Sequence, residues 1–149
     1  MFRYKKLGYV ALNVTDVNKS AQFYRDIVGL ELVELVSNQI AYFRCSNDHH
    51  NLVLYPSQHP GLKRVAFEVE DENQLDMAID RITRAGVNWQ EVDDSEVESL
   101  HQSRTIRFTE PTSGVTFELY SDIEHFEVPF ASKPINSKPV NITQLGHAV

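Results

Sequence analysis

The sequence predicts an α+β fold in which two tandem βαβββ units form one domain. Residues 10–16 (Val-Ala-Leu-Asn-Val-Thr-Asp) and residues 65–71 (Val-Ala-Phe-Glu-Val-Glu-Asp) are identical at four of seven positions. The offset between the two segments is 55 residues, which indicates an internal repeat. In both copies a segment with helical periodicity follows, and then three short strand-like runs. This order of elements defines the predicted unit.

Each copy begins with a strand and a helix. Alternating apolar residues predict a half-buried strand in both, and Asp16 and Asp71 then stand where a helix N-cap is expected. Asp71 with Gln74 resembles a capping box, and Gly29 and Gly86 can end the two helices. The apolar residues at helical spacing are predicted to pack into the core; they are Val17, Ala21, Tyr24 and Val28, then Leu75, Ala78, Ile79 and Ile82.

Three predicted strands complete each copy. They are Glu31–Val36, Gln39–Cys45 and Asn51–Tyr55 in the first copy, and Val87–Val92, Arg104–Thr109 and Val115–Tyr120 in the second. The acidic stretch Glu91–Glu98 is interpreted as a solvated loop. The two units therefore cover about residues 5–57 and 62–121, and the predicted domain covers residues 1–121.

The repeat pattern stops after Tyr120. Residues 122–144 contain three prolines among polar residues and are predicted to be a linker, from which Phe126, Val128 and Phe130 could dock on the body. Residues 145–149 (Leu-Gly-His-Ala-Val) then echo residues 7–11 (Leu-Gly-Tyr-Val-Ala). We expect residues 145–149 to be the first strand of a truncated second domain.

Composition excludes several classes of protein. The chain of 149 residues carries a net charge of −7, which argues against a nucleic-acid partner. Cys45 is the single cysteine, so there is neither an intrachain disulfide nor a zinc site built from several cysteines, and we expect it in a buried strand. No secretory leader and no membrane-spanning apolar run is found, which predicts a cytoplasmic protein without a membrane partner.

Four segments together resemble one known superfamily. They are Leu7-Gly-Tyr-Val-Ala-Leu, Ala21-Gln-Phe-Tyr-Arg-Asp-Ile-Val-Gly-Leu30, Val65-Ala-Phe-Glu-Val and Phe117-Glu-Leu-Tyr. Their order and spacing over about residues 5–121 are similar to the vicinal oxygen chelate superfamily, which includes glyoxalase I, bleomycin-resistance proteins, fosfomycin-resistance enzymes and extradiol dioxygenases. The resemblance implies a glyoxalase/bleomycin resistance/dioxygenase-like domain, whose two units form a cup around a divalent metal held by residues of the first and last strands.

Carried onto this sequence, the resemblance gives four degenerate metal positions. Tyr9 and Arg64 occupy the first-strand positions, and Val53 and Glu118 occupy the last-strand positions. Arginine has no lone pair to offer and valine has no donor atom, so glutamate alone keeps a suitable ligand type. We expect Arg64 and Glu118 to form an ion pair or a hydrogen-bonded network instead, with the Tyr9 hydroxyl nearby.

His147 aligns with Tyr9 and Arg64, and it lies in a Leu-Gly-His segment. In two-domain extradiol dioxygenases such a segment opens the carboxy-terminal domain, which holds Fe(II) or Mn(II) with two histidines and one glutamate. The resemblance therefore makes this chain the amino-terminal domain of a type I extradiol dioxygenase, with His147 as the first ligand of an incomplete metal site.

That reading implies a division of labour within a longer parent enzyme. The partners would be the enzyme's own carboxy-terminal catalytic domain and a catechol-like substrate, and we expect a homo-oligomer. This chain itself would have a structural role, without catalytic residues, bound metal or dioxygenase activity.

Two alternatives stay open. One is a stand-alone glyoxalase-like metalloenzyme with another ligand set. The other is a binding protein like the bleomycin-resistance proteins, with a groove lined by Tyr9, Tyr42, Phe43, Tyr55 and Trp89. The remaining histidines are expected in loops without ligand spacing, and the adjacent pair His49 and His50 in a solvated hairpin loop; the others are His59, His101 and His125.

Overall fold

The computed structural model describes residues 2–37 and 39–134, which form two compact lobes. Lobe 1 consists of residues 9–63 and 125–134, and lobe 2 consists of residues 2–8 and 64–124. Two long strands, β1 (Tyr4–Val14) and β5 (Gly61–Val69), therefore contribute residues to both lobes. The resulting lobes differ from two consecutive halves of the chain.

Lobe 1 contains the first copy of the repeat. After β1 come α1 (Val17–Phe23), β2 (Glu31–Val36), β3 (Ile40–Arg44) and β4 (Leu52–Pro56), and the strand order is β2-β3-β4-β1. Strands β1 and β4 pair in parallel, whereas the other neighbours are antiparallel. The Asp16 side chain caps α1 by accepting from the Lys19 N–H at 2.9 Å. One π-helical turn, Tyr24–Val28, continues the helix until Gly29, whose φ of +84° ends it.

Lobe 2 contains the second copy. After β5 come α2 (Glu72–Arg84), β6 (Trp89–Glu91), α3 (Asp94–Ser99), β7 (Thr105–Thr109) and β8 (Thr116–Tyr120), in the strand order β5-β8-β7-β6. Strands β5 and β8 pair in parallel, and β7 pairs antiparallel with both β6 and β8. The predicted α+β class with βαβββ units is thus confirmed.

One local expectation is wrong and another is met in part. The acidic stretch expected as a loop contains α3, because the Asp93 side chain accepts from the Glu96 N–H and caps a short helix. The capping box at α2 is half formed: Asp71 accepts from the Gln74 N–H, but the Gln74 side chain accepts from the Arg3 N–H instead. At α2 a hydrogen bond from a residue distant in sequence replaces the second half of the capping box.

Strand alternation separates an apolar face from a second face in each lobe. The apolar faces pack against α1 and α2, as the helical stripes predicted. The buried clusters are Val17, Ala21, Ala41, Phe43, Leu52 and Leu54 in lobe 1, and Val69, Leu75, Ala78, Ile82, Ile106 and Leu119 in lobe 2. The four degenerate metal positions alternate with these strand residues, so they lie on the opposite faces.

Part of the predicted linker packs on lobe 1. The Phe126 N–H donates to the Asn47 carbonyl at 2.7 Å, and its ring stacks on the His49 ring. The Val128 side chain is 69% exposed, but its carbonyl accepts from Arg44 Nη1 at 2.9 Å. Residues 145–149 and His147 lie outside the described residues. Within the part of the chain described, none of the helices has the length and apolar character needed to cross a membrane.

Candidate functional site

Arg64 and Glu118 form an ion pair in lobe 2. Arg64 lies on β5 and Glu118 on β8, and Arg64 Nε is 3.1 Å from Glu118 Oε1. Both side chains are almost completely buried, at 3% and 0% exposure. Because β5 and β8 run parallel with Ala66 opposite Glu118, the two charged side chains project from the same face of the sheet. The expected pairing of Arg64 with Glu118 is therefore confirmed.

Arg107 and Glu96 extend the pair into a four-residue network. Arg107 lies directly opposite Glu118 in the β7–β8 register, and its Nε donates to Glu118 Oε1 at 2.7 Å. Arg107 Nη2 contacts the same oxygen and also donates to Glu96 Oε1 at 2.7 Å. Arg64 Nη1 lies 3.8 Å from Glu96 Oε1. Two cations and two carboxylates thus neutralise one another.

The network changes the titration of its second arginine. Burial alone would lower the pKa of the Arg107 guanidinium, because desolvation penalises a charge. The hydrogen bonds to Glu96 and Glu118, together with the charge of Glu118, outweigh that effect and raise the pKa of Arg107 above its ordinary value. Arg107 therefore stays a cation at neutral pH.

Sequence reasoning missed Arg107 and Glu96. Glu96 was hidden in the stretch interpreted as a loop. Arg107 could have been found from the hairpin, since a turn at residues 110–115 puts residue 107 opposite residue 118. An arginine and a glutamate at opposed hairpin positions on a buried face are a recognisable signal of an ion pair.

The donor set of lobe 2 does not fit a divalent metal. Glu118 Oε1 is contacted by Arg64 Nε and by two nitrogens of Arg107. A guanidinium has no lone pair with which to ligate a cation. The carboxylate that could have served as a ligand is thus engaged by fixed positive charges, and a metal ion would have to displace them from a buried position.

The two positions in lobe 1 fit a metal no better. Val53 on β4 is fully buried between Ala11 of β1 and Tyr42 of β3, and it has no donor atom. Tyr9 is also fully buried, with its ring edge-on to His50 at 4.6 Å between centroids. Packing explains the types of both residues without a bound ion.

The expectation that His49 and His50 lie in a solvated loop is wrong. They are 4% and 0% exposed, and their Nδ1 atoms are 3.2 Å apart. Asn51 orders the loop by accepting from the Cys45 N–H at 2.8 Å, and Phe126 covers His49 from a segment 77 residues further along the chain. The burial of this pair is therefore a tertiary effect.

Cys45, His101 and His125 lie in environments that explain them by burial or by pairing with a carboxylate. Burial, with a smaller effect of the Asp48 charge, raises the pKa of the Cys45 thiol to about 11, so the thiol stays protonated at neutral pH. His101 Nδ1 is 2.6 Å from Glu124 Oε2, and His125 Nε2 is 3.1 Å from Asp48 Oδ1. Cys45 is thus buried, as expected, directly after β3.

The aromatic groove of the binding-protein alternative is mostly core. Tyr9, Tyr42 and Phe43 are at most 2% exposed, so they line no open groove in lobe 1. Trp89 is partly exposed at the edge of lobe 2, where its Nε1 donates to Thr83 Oγ1. Tyr9, Tyr42 and Phe43 therefore do not form a ligand groove, whereas Trp89 lines a cleft of about 520 Å³ in lobe 2.

Fold and site together identify the family. The model of the glyoxalase/bleomycin resistance protein/dioxygenase superfamily matches residues 6–119, and the chain belongs to this superfamily. The chain is 31% identical over 130 residues to a manganese-dependent 2,3-dihydroxybiphenyl 1,2-dioxygenase of Geobacillus genomosp. 3, covering 86% of this chain and 40% of the relative. It is 23% identical to a biphenyl-2,3-diol 1,2-dioxygenase of Sphingomonas paucimobilis, covering 97% of this chain and 49% of the relative.

Solved structures show the same fold. A crystal structure of catechol 2,3-dioxygenase is similar with a TM-score of 0.83 at 22% identity, covering 99% of this chain and 50% of that one. A homoprotocatechuate 2,3-dioxygenase of Brevibacterium fuscum is similar with a TM-score of 0.76 at 28% identity, covering 85% and 34%. The chain is an extradiol-dioxygenase-like domain that spans less than half the length of these curated relatives.

Proposed function

We propose that this chain is the amino-terminal, metal-free domain of an extradiol ring-cleaving dioxygenase, with a structural role and no catalytic activity of its own. The observation that carries the proposal is the engagement of Glu118 by Arg64 and Arg107. The glutamate that could ligate a metal is compensated by two guanidinium groups. Removing either charge type alone would leave a buried charge uncompensated, which favours retention of the whole network.

The remainder of the proposed enzyme would lie beyond the domain. Residues 122–144 would connect to a second domain that begins at residues 145–149, where His147 would be the first metal ligand. Iron or manganese would be the metal in that parent enzyme, since one relative is named as manganese-dependent and another, from Rhodococcus jostii, as an iron-dependent extradiol dioxygenase. The substrate would be a catechol-like diol, and the partner of this domain would be the catalytic domain itself.

Anaerobic reconstitution tests the proposal. The purified chain is incubated with Fe(II) without oxygen, desalted and analysed for iron, and it is then assayed in air-saturated buffer for ring cleavage of catechol and 2,3-dihydroxybiphenyl, since the reaction consumes O2. We expect far less than one iron per chain and no cleavage, with identical results for His147→Ala. Stoichiometric iron together with ring cleavage would overturn the metal-free role. A tight organic ligand that co-purifies without metal would favour a binding protein instead.

A further inference from the structure

A cleft of about 530 Å³ lies in lobe 1, and none of the four degenerate metal positions lines it. It is formed by the end of the π-helical turn, the start of β2 and residues 128–133. The Ser132 hydroxyl donates to the Gly29 carbonyl at 2.9 Å and anchors this segment. A Cβ at Gly29 would come within 2.4 Å of Ser132 Oγ, so the glycine permits the close approach. The wall of the cleft is thus built by specific contacts.

Three cations line the cleft. Lys133 is exposed and makes no hydrogen bond or ion pair with residues 2–37 and 39–134. Arg25 binds Asp26 through Nε and Nη2, which leaves its Nη1 without a partner in the described chain. Arg44 is held by Glu31, by the Val128 carbonyl and over the Phe126 ring, and its buried Nε has no partner among the described residues. The three cations therefore have hydrogen-bond donors in this cleft that no described residue of the lobe accepts.

The lining also has an apolar part. Leu30, Leu32 and Pro129 line the same cleft, together with Glu31, which pairs with Arg44. Because Asp26 pairs with Arg25 and Glu31 pairs with Arg44, the three cations leave a local excess of one positive charge in a chain whose net charge is −7. Cations next to aliphatic walls are suited to a ligand with an anionic head and an apolar body.

We propose that this cleft binds a small organic carboxylate. The carboxylate would lie between Lys133 and Arg25, with the Arg44 guanidinium as a fixed positive wall, and the hydrocarbon body would contact Leu30, Leu32 and Pro129. This site goes beyond the proposed dioxygenase role, since none of its residues belongs to the network around Glu118. The site would also assign a binding role to residues 128–133, which follow the second repeat.

Calorimetric titration of the full chain with benzoate tests the proposal. Lys133→Gln removes an exposed cation with no described partner, and we expect benzoate binding to weaken by roughly threefold or more. Glu31→Gln keeps an acceptor for Arg44 but removes the competing negative charge, and we expect binding to tighten by a similar factor. Lys19→Gln, an exposed lysine of the same lobe outside the cleft, is the matched control and should leave the affinity unchanged.

Ligand arms separate the contributions of charge and apolar surface. Benzyl alcohol should not compete with benzoate, and high salt should weaken benzoate binding because it screens the cations. The proposal is overturned if benzoate does not bind, or if Lys133→Gln and Lys19→Gln behave alike. It is also overturned if inorganic phosphate binds more tightly than benzoate, since the apolar walls would then contribute nothing.

Discussion

Glu118 determines the chemistry available to lobe 2. A buried carboxylate must be compensated, either by a metal ion or by cationic side chains. Here Arg64 and Arg107 supply the compensation from the two strands that flank β8, and Glu96 balances the second guanidinium. The two guanidinium groups and the two carboxylates form a side-chain network whose charges balance.

Replacing Glu118 should therefore be far more harmful than replacing Glu96. Glu118→Gln leaves the buried Arg64 and the partly buried Arg107 short of one negative charge, and we expect a loss of about 3 kcal/mol in the free energy of unfolding. Glu96 is one-third exposed, so Glu96→Gln should cost less than about 1 kcal/mol. Urea denaturation measures both, with Glu98→Gln as the surface control. Equal costs for Glu118→Gln and Glu96→Gln would contradict this account of the network.

Gly8, in the Leu-Gly segment of β1, packs so closely against Tyr120 that there is no room for a side chain at this position. A Cβ at this position would lie 1.8 Å from Tyr120 Oη and 2.8 Å from Tyr120 Cζ. Gly8→Ala should destabilise the protein by about 2 kcal/mol through overpacking. Tyr120→Phe removes the atom nearest to that Cβ. Gly8→Ala should therefore cost less stability in the Tyr120→Phe background than it costs in the wild type. Thermal denaturation of the three variants checks this, and strictly additive losses would rule out the contact as the cause.

At the scale of elements, the β7–β8 hairpin holds Arg107 opposite Glu118, and its turn is organised by Glu110. The Glu110 carboxylate accepts from the Ser113 N–H and hydroxyl and from the Thr112 N–H. Gly114 adopts a φ of +71° in the same turn. These hydrogen bonds lower the pKa of Glu110 to about 2, with the Ser113 hydroxyl as the largest cause.

The lowered pKa of Glu110 means that this group stabilises the fold in its ionised form. Its contribution is complete above the ordinary pKa of a glutamate and is lost as the pH falls toward about 2. Glu110→Gln should therefore have a lower Tm than the wild type at neutral pH, and the difference should shrink in acid. Tm measured across this pH range checks the prediction, against Glu98→Gln as the control. A difference in Tm that does not vary with pH would contradict it.

Elements with local signals could be predicted, whereas burial set by distant segments could not. The paired strands and the Asp16 and Asp71 caps follow from the repeat at a 55-residue offset. The Arg64–Glu118 pair followed from the same offset and the family resemblance. By contrast, His49 and His50 look like loop residues locally, because the aromatic ring that covers His49 comes from far along the chain. Helix α3 was hidden by its acidic composition.

At the scale of the whole molecule, each lobe depends on segments that are distant in sequence. Lobe 2 uses residues of the amino-terminal strand: Lys5 and Lys6 pair with the fully buried Glu68, at 2.5 Å and 3.2 Å. Lobe 1 uses residues 125–134 in the same way. The chain spans 40–49% of the length of its first two curated relatives, so the role of a metal-free domain concerns part of a proposed larger enzyme.

Manganese titration followed by electron paramagnetic resonance tests the central claim most directly. Aqueous Mn(II) gives a six-line signal, and Mn(II) that binds to the protein no longer contributes to it. If Arg64 and Arg107 engage Glu118 as described, the aqueous signal should rise from the first addition with the same slope with and without the protein. A lag of one equivalent of Mn(II) per chain that disappears in Glu118→Ala, with Glu98→Gln unchanged, would contradict the account.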